Sequence, residues 1–591
     1  MLTGFGFSKF IGAARELVFA QVLLPFSRAT VWIIVFVIHQ PLRTVVFAFL
    51  WCGLIAEVSA QKKFAYDPLA LLQIRDDPAR HLTLRWQGTI RAEAGRPGSW
   101  IERFIENRFN LTLEPRFIVF FSYPRVLPLR MLGGDIADVT WIMARDVAPF
   151  SRHGFALELP WEVIRRHAPN YVRLLNANAP EMWLLTHNEG RNYGVPLSTI
   201  ESRFPRPGIW RMDWLRNVGI DRVPATLVEM EEALRRFRYR DPDRNGKIDT
   251  YGMSTWRSPM APDTMDRSFE EIFGAHGVLT TGWMERNGKI VWGGVLPEAK
   301  ETLGVLQRWY AEGLIYPDYA VAPAGSIDLI KKLTSGMVGY LSGLAEYFSF
   351  DLSNNQSMAA VVASVQSGGE IVPALFPRGP EGKRGGRGVS FGESLGVLMF
   401  GRHLEHEPEK VVRVLRMLDE FAADAELFLT VRLGKQGHHW QWDEAKGLHP
   451  LPPFDLSNNA ARELIHRTLE PWRTWGFYSL FGGTQAIADL FRTAPHRAFD
   501  DAYRNSADAI YDALGQAEAV PADLILGDLI QFQVTTYSEI IGGRLPLSHF
   551  DHFVREWHHR GGAQLTGEAN DLFARRRWIL DRAGVPPPVT P

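Results

Sequence analysis

Residues 99–118 read Ser-Trp-Ile-Glu-Arg-Phe-Ile-Glu-Asn-Arg-Phe-Asn-Leu-Thr-Leu-Glu-Pro-Arg-Phe-Ile. Ser99 and Glu102 form a capping box ahead of apolar residues at helical spacing, so a helix is predicted to begin here. Residues 111–118 then predict a strand. Leu82–Trp86 alternates like a half-buried strand, and Ala137–Met143 predicts a further one. A helix between roughly parallel strands indicates an α/β lobe.

The chain has 591 residues, too many for one small core, so two or more lobes are expected. Apolar residues make up 46% and charged residues 22%, as in an ordinary globular protein. The 65 basic residues nearly cancel the 66 acidic ones, so no overall field favours nucleic acid, and we expect no nucleic-acid partner. The single cysteine, Cys52, excludes an intrachain disulfide and a cysteine-rich metal site.

Two apolar runs lie near the start of the chain, Val31–Ile38 and Val45–Ala56. The second has the form of a secretory signal, with Arg43 ahead of it and small residues at 58–60 behind it. Each run is shorter than the roughly 20 residues of a membrane-spanning helix. We therefore predict cleavage after Ala60, with an uncleaved anchor formed from residues 1–60 as the alternative. Both interpretations place the rest of the chain in the periplasm or another extracytoplasmic space.

Further local signals predict helices and a turn. Thr226 and Glu229 form a second capping box, ahead of apolar residues on one helical face. Asn287-Gly288, between two short apolar runs, is typical of a β-hairpin turn.

The sharpest chemical motif is residues 241–252, which read Asp-Pro-Asp-Arg-Asn-Gly-Lys-Ile-Asp-Thr-Tyr-Gly. Oxygen-bearing side chains fall at positions one, three, five and nine of a calcium-binding loop, a glycine falls at position six, and position seven offers its backbone carbonyl. The predicted ligands of a structural Ca²⁺ are Asp241, Asp243, Asn245, Lys247, Asp249 and Thr250. Gly252 stands where an EF-hand has a bidentate glutamate, so a missing ligand must come from Thr250, water or elsewhere in the chain.

From this loop outward, the chain resembles family 1 extracellular solute-binding proteins, in particular the branch of LplA-type lipoproteins and alginate-binding receptors. The matching stretches are 208–215 (GIWRMDWL), 223–226, 241–252, 309–318, 336–340, 434–440 and 540–562. Residues 133–139 resemble the family's early turn, with Ala137 in place of a proline. The bulky residues before Cys52 do not fit a lipoprotein cleavage box, which is the main departure from the family.

The resemblance implies an α/β, two-lobed type II periplasmic-binding fold with a hinge and an interlobe ligand cleft. The expected segments are 1–60 for the signal peptide or anchor, 61–195 for the first part of lobe one, 196–330 for the first part of lobe two, 331–400 for a return to lobe one, and 401–591 for a mainly helical second part of lobe two. It also implies an oligosaccharide ligand, uronate-containing ones among the candidates, and delivery to the membrane subunits of an ABC transporter by a monomer.

Aromatic residues are the candidates for contact with the sugar, because apolar ring faces pack on the C–H faces of pyranoses. The residues chosen follow predicted strands or occupy matched loops; they are Trp86, Trp141, Tyr193, Tyr347, Trp440 and Trp442. Arg85 and Arg211 are candidates to pair with a sugar carboxylate. For each aromatic residue, packing in the core is the alternative.

Two other classes of function stay open at this point. An exported carbohydrate-active enzyme would need two carboxylates that flank the scissile bond, and sequence spacing cannot show such a pair. A membrane-anchored sensor ectodomain is favoured if the N-terminal segment is retained. The leading hypothesis is a receptor with no catalytic activity.

Overall fold

The computed structural model describes residues 18–22, 31–38, 45–47, 66–90, 100–119, 122–198, 207–255, 268–320, 326–342, 357–388, 394–443, 447–452, 494–504, 510–515 and 525–586. The chain divides into two compact units, Met1–Asp67 and Pro68–Pro591.

The strands, in chain order, are β1 Val18–Val22, β2 Val31–Ile38, β3 Val45–Phe47, β4 Leu82–Ile90, β5 Leu111–Val119, β6 Val139–Ile142, β7 His187–Asn188, β8 Arg191–Asn192, β9 Val195–Ser198, β10 Gly208–Arg211, β11 Tyr251–Met253, β12 Trp283–Arg286, β13 Lys289–Trp292, β14 Val338–Leu341, β15 Ile371–Ala374, β16 Arg387–Gly388, β17 Ser394–Phe400, β18 Trp440–Asp443, β19 Gly447–Pro450 and β20 Ile510–Tyr511.

The α-helices are α1 Trp100–Phe109, α2 Tyr123–Leu132, α3 Val147–Arg152, α4 Trp161–His167, α5 Pro169–Asn178, α6 Met212–Asn217, α7 Leu227–Tyr239, α8 Glu270–Ala275, α9 Pro297–Ala311, α10 Ser326–Thr334, α11 Met358–Val365, α12 Pro408–Ala423, α13 Ala425–Leu433, α14 Ala494–Phe499, α15 Ile525–Ile541, α16 His549–Trp557 and α17 Ala563–Arg582. Short 3-10 helices cover Pro68–Gln73, Ala144–Asp146, Pro180–Thr186, Gly293–Val295, Pro317–Ala320 and Arg402–His406, and π-helical turns cover Asp500–Arg504 and His558–Gly562.

The first unit contains an antiparallel sheet of three strands, with β2 between β1 and β3. The first apolar run of the sequence is β2, and the start of the second run is β3. The remainder of the second run, Cys52 and the predicted cleavage position after Ala60 lie outside the described residues. Within the described ranges, no helix is long and apolar enough to cross a membrane.

The first sheet of the second unit has the strand order β5-β4-β6-β17-β9. β4 runs parallel to β5 and β6, whereas β17 runs antiparallel to β6 and β9. The predicted strands at 82–86, 111–118 and 137–143 and the helix between the first two are confirmed. Ile101, Ile105 and Phe109 bury the apolar face of α1, as their spacing predicts.

The second sheet has the order β11-β14-β10-β15. β14 and β15 each pair with β10, so residues 338–341 and 371–374 belong to the second lobe. The predicted return to lobe one over 331–400 is therefore wrong for these strands, and the chain re-enters the first sheet only at β17. β9, residues 195–198, still pairs within the first sheet, so this sheet extends past the expected boundary at 195.

The helices after β17 also differ from the prediction that 401–591 belongs to lobe two. α12 packs on α4 and α5, beside the first sheet. Asp419 of α12 accepts hydrogen bonds from the backbone N–H groups of Asn170 (2.5 Å) and Tyr171 (3.1 Å) at the start of α5. These N–H groups have no partner within their own helix. The Asp419 carboxylate therefore supplies their hydrogen-bond acceptor and holds the start of α5 against α12.

A helical layer surrounds the hairpin β12–β13. The hairpin turns at Asn287-Gly288, both with positive φ, as predicted. α9 packs on α15, and α17 contacts β13 as well as the 3-10 helix Pro180–Thr186 of the first lobe.

Both sheets present the carboxyl ends of their parallel strands at the edge where the chain passes between the lobes. β9 ends at Ser198, which pairs with Ser394 at the start of β17, and Ile142 at the end of β6 pairs with Val397 of β17. In the second sheet, Leu341 at the end of β14 pairs with Ile209, next to the start of β10, and β11 is parallel to β14. We call this the crossing edge. In open α/β sheets, ligands bind beyond the carboxyl ends of the strands.

Candidate functional site

Trp141 lies at the crossing edge of the first lobe. Its ring is half-buried and packs edge-on against Tyr123, with centroids 5.1 Å apart, and the Tyr123 hydroxyl donates to the Trp141 carbonyl. The indole also lies over Gly396 of β17, where a Cβ atom would come within 2.8 Å of Nε1. The φ of Gly396, +107°, is unfavourable for residues with side chains. Glycine is therefore needed here both to adopt this backbone conformation and to leave room for the Trp141 ring.

Three other predicted aromatic residues lie in different surroundings. Trp86 is 0% exposed inside the first sheet, so it presents no ring face to a ligand in this structure. Tyr193 is half-buried, and burial raises the pKa of its hydroxyl. Tyr347 lies outside the described residues.

Trp440 and Trp442 belong to the hairpin β18–β19. Trp440 is buried, and its indole N–H donates to the Gly434 carbonyl at 2.8 Å, whereas Trp442 is 40% exposed. His439 contacts Trp100 at the start of α1, with centroids 5.6 Å apart. α1 ends directly before β5 begins, so the N-terminus of α1 points toward the crossing edge. Of Trp440 and Trp442, only Trp442 has an accessible ring.

The two candidate arginines are engaged within the protein. Arg85 donates through its backbone N–H, Nε and Nη2 to Asp138, which is 0% exposed at the amino end of β6, away from the crossing edge. Arg211 is 1% exposed and donates through Nε and Nη2 to Asp213 at 2.9 and 2.6 Å. Both guanidinium groups are therefore already paired with a carboxylate of the protein.

Asp138 is the centre of a charge network. His403 Nε2 lies 2.7 Å from one carboxylate oxygen and Lys410 Nζ 3.2 Å from the other. Burial alone would raise the pKa of Asp138, but the hydrogen bonds from His403 and Arg85 and the charge of Lys410 outweigh it and hold the pKa far below its usual range. Asp138, His403 and Glu407 lie close enough to share a metal ion. Arg85 and Lys410 already neutralise this carboxylate, however, so the donor set suits an ion-pair network better than a cation site.

The predicted calcium loop connects α7 to β11. The capping box of Thr226 and Glu229 is present at the start of α7, as predicted. Asp241 accepts hydrogen bonds from the backbone N–H groups of Asn245 and Gly246, each at 3.0 Å. Positive φ angles at Asp241, Arg244 and Gly246 let the backbone fold around this carboxylate.

Three side chains of the loop converge. The Asn245 amide nitrogen lies 2.8 Å from Asp243 Oδ2 and 3.2 Å from Asp249 Oδ1. Burial raises the pKa of Asp243, and the neighbouring Asp241 and Asp249 carboxylates add to the effect. The loop therefore concentrates negative charge and oxygen ligands around one point, which is the donor chemistry that a hard cation requires.

The remaining positions of the loop have defined partners. The Thr250 hydroxyl is buried and donates to the Phe237 carbonyl at 2.6 Å, at the end of α7. Lys247 is exposed, and its backbone N–H donates to Asn245 Oδ1. At Gly252 a Cβ atom would lie 2.7 Å from Leu234 and from the Leu314 carbonyl. Close packing of β11 against α7 thus excludes the glutamate that an EF-hand has at this position.

Sequence reasoning missed a polar cluster at the crossing edge of the second lobe. Glu271 of α8 accepts a hydrogen bond, at 2.7 Å, from the hydroxyl of Ser342, the residue directly after β14. Burial raises the pKa of Glu271 to about 7. The only signal in the sequence is a polar pair, Glu270-Glu271, within an apolar run, which many surface helices share.

Comparison with known proteins gives relatives by sequence and by structure. No protein-family model matches the chain. The polygalacturonan/rhamnogalacturonan-binding protein YtcQ of Bacillus subtilis (strain 168) is 24% identical over 406 residues, 66% of this chain and 71% of the relative. Lipoprotein LipO of the same organism is 28% identical over 388 residues, 62% of this chain and 68% of the relative.

Three solved structures share the fold. FusA, an ABC-transporter substrate-binding protein of Streptococcus pneumoniae in complex with kestose, has a TM-score of 0.61 at 16% identity, over 84% of this chain and 99% of that chain. An HMO-binding, ABC-transporter-associated solute-binding protein of Bifidobacterium longum infantis has 0.60 at 15%, over 83% and 98%. Alginate-binding protein AlgQ2 has 0.56 at 15%, over 85% and 99%. The predicted resemblance and the predicted solute-binding-protein fold are confirmed.

Proposed function

We propose that this chain is an extracytoplasmic receptor that captures an oligosaccharide and delivers it to the membrane subunits of an ABC importer. The main support for this proposal is the geometry of the crossing edge. Two α/β sheets place the carboxyl ends of their parallel strands beside the connections between the lobes, where closure can enclose a ligand. YtcQ, named for binding polygalacturonan and rhamnogalacturonan, and FusA, described with kestose, support a carbohydrate as the ligand.

The aromatic side chains near the crossing edge suit the binding of a sugar rather than catalysis on it. Trp141 and Trp442 offer aromatic surface at or near the edge, and such surface favours the C–H faces of a pyranose. Trp86, Tyr193, Tyr347 and Trp440 remain candidates for contact in a ligand-bound state. YtcQ, FusA, AlgQ2 and the HMO-binding protein are named as binding proteins, which favours a receptor over an enzyme. A receptor would act as a monomer outside the cytoplasm, either free or tethered through residues 1–60.

We also propose that residues 241–249 hold a structural Ca²⁺. Asp241, Asp243, Asn245 and Asp249 would supply side-chain oxygens and Lys247 its carbonyl. The ion would neutralise the clustered carboxylates and fix the end of α7 against the start of β11. The description of AlgQ2 "without calcium ion" and of a FusA "EF-hand mutant" supports such a site in proteins of this fold.

Calorimetric titration of the full chain with a panel of neutral and uronate oligosaccharides tests the function. Micromolar binding, about 8 kcal/mol, is expected for at least one oligosaccharide. The receptor proposal is wrong if none binds, or if the ligand is shortened during the titration.

A further inference from the structure

Buried polar atoms without a partner gather at the crossing edge of the second lobe. Within the described part of the chain, Ser254 Oγ, Glu271 Oε1 and Tyr340 Oη are buried and make no hydrogen bond. Glu271 is 0% exposed, and its other oxygen accepts from Ser342. Leaving a buried polar group unpaired is costly, so such groups are rare unless they have a role.

Topology explains why these residues meet. Ser254 directly follows β11, Tyr340 and Ser342 lie at the end of β14, and the two strands are parallel, with Met253 opposite Tyr340. The Tyr340 hydroxyl lies against Gly208, the first residue of β10, where a Cβ atom would approach it to 2.7 Å. The cluster therefore lies where the chain enters the second lobe, which is the expected place for a ligand.

The surroundings of Glu271 favour its uncharged form. Burial is the main cause of its raised pKa, and the neighbouring Glu270 carboxylate adds to it. Lys383 and Arg387 come from the segment 376–388 packed against α8, but Lys383 pairs with Glu381, and the Arg387 backbone N–H donates to Glu270. Tyr340 on β14 is a further titratable neighbour, and burial, together with the nearby Glu271 carboxyl group, raises the pKa of its hydroxyl.

We propose that the Glu271 carboxyl group in its protonated form, together with the hydroxyls of Ser254, Tyr340 and Ser342, recognises the hydroxyl groups of an uncharged sugar unit in the second lobe. This inference rests on the proposed function. A protonated carboxyl and three hydroxyls offer both donors and acceptors, as sugar hydroxyls require. A uronate carboxylate here would add a negative charge beside the Glu270 and Glu271 carboxyl groups, which disfavours a charged sugar unit.

The unpaired atoms also explain why the binding of a sugar unit at this cluster would be energetically favourable. The four side chains are at most 1% exposed, so the groups that cover them must move aside when the sugar unit enters. The bound sugar would supply the hydrogen bonds that the ligand-free protein lacks, and a ligand shifts a conformational equilibrium only through such a difference between states.

The test compares the full chain with Glu271→Gln, which keeps the shape and hydrogen-bonding capacity of the protonated side chain. Calorimetric titrations at about pH 5.5, pH 7 and pH 8.5 use neutral and all-uronate oligosaccharides. For the wild type we expect tighter binding of ligands with a neutral unit, and an affinity that falls by up to about tenfold per pH unit above pH 7. Glu271→Gln should bind with little dependence on pH. The matched control is Glu381→Gln, an exposed carboxylate on the packed segment, and it should behave like the wild type.

A second variant, Ser342→Ala, removes one hydroxyl from the cluster and should weaken binding several-fold. Melting temperatures of the ligand-free variants show whether each is folded. Wild-type binding with an unchanged pH profile in Glu271→Gln would overturn this inference and leave the receptor proposal intact. So would preferred binding of all-uronate ligands. A wild type that binds no oligosaccharide would overturn the proposed function and this inference with it.

Discussion

Ser198, the last residue of β9, pairs with Ser394, the first residue of β17. The chain leaves the first sheet at one and returns to it at the other, so its points of exit and return are neighbours in the sheet. Hinges are formed by a few loop or element-terminal residues, and this pair of strand ends is such a position. The pairing also brings Gly396 of β17 under Trp141, so the hinge strand and the proposed sugar-contacting ring are coupled.

Gly396→Ala should therefore damage both stability and ligand binding. A Cβ atom there would lie 2.4 Å from the Ile142 carbonyl and 2.8 Å from Trp141 Nε1, at a φ of +107°. We expect a loss of about 1–3 kcal/mol in the free energy of unfolding, measured by urea denaturation, and weaker oligosaccharide binding. Gly382→Ala is the matched control, since it also has positive φ but nothing within 4 Å of the added atom. Equal losses in the two variants would contradict the role of the Trp141 contact.

Removal of calcium should lower the melting temperature. An ion that binds only the folded state adds about 2.7 kcal/mol at a concentration one hundred times its dissociation constant. Asp249→Ala should reproduce the effect of a chelator and abolish the response to added Ca²⁺, measured by calorimetry. The exposed Asp571→Ala serves as the control and should respond like the wild type. Identical melting curves for the metal-free and calcium-loaded wild type would rule out the proposed site.

The Asp138 network should make the protein sensitive to acid. The pKa of Asp138 is lowered in the folded state, so its contribution is present above the unfolded pKa of about 4 and is lost as the pH falls below it. Asp138→Asn should reduce the free energy of unfolding by about 3 kcal/mol at neutral pH, because Arg85 and Lys410 lose the buried negative charge that they pair with. The difference between variant and wild type should shrink toward low pH. A constant difference across the pH range, measured in urea, would show that the carboxylate charge does not matter.

Local chemistry made part of the fold predictable. The capping box of Thr226 and Glu229 and the Asn287-Gly288 turn depend on residues a few positions apart, and both appear as expected. The membership of β14 was not predictable in this way. All four of its residues are buried, so the strand suits the interior of either sheet, and only its pairing with distant β10 decides between them.

The site was less predictable than the fold. Trp86 and Trp141 both lie on strands of one sheet, yet the first is enclosed and the second reaches the crossing edge. The difference depends on where each residue falls along its strand and on what packs over it. Glu271 is a functional candidate only because folding brings it to Ser342, 71 residues away in the chain, and buries it there.

Recovery of the bound ligand distinguishes a receptor from an enzyme. The full chain is saturated with an oligosaccharide identified by calorimetry, separated from free ligand and denatured, and the released sugar is analysed by chromatography with mass spectrometry. A receptor should release about one intact oligosaccharide per protein chain, unchanged by prolonged incubation. Shorter products that accumulate beyond one equivalent, or no retained sugar at all, would contradict the receptor proposal.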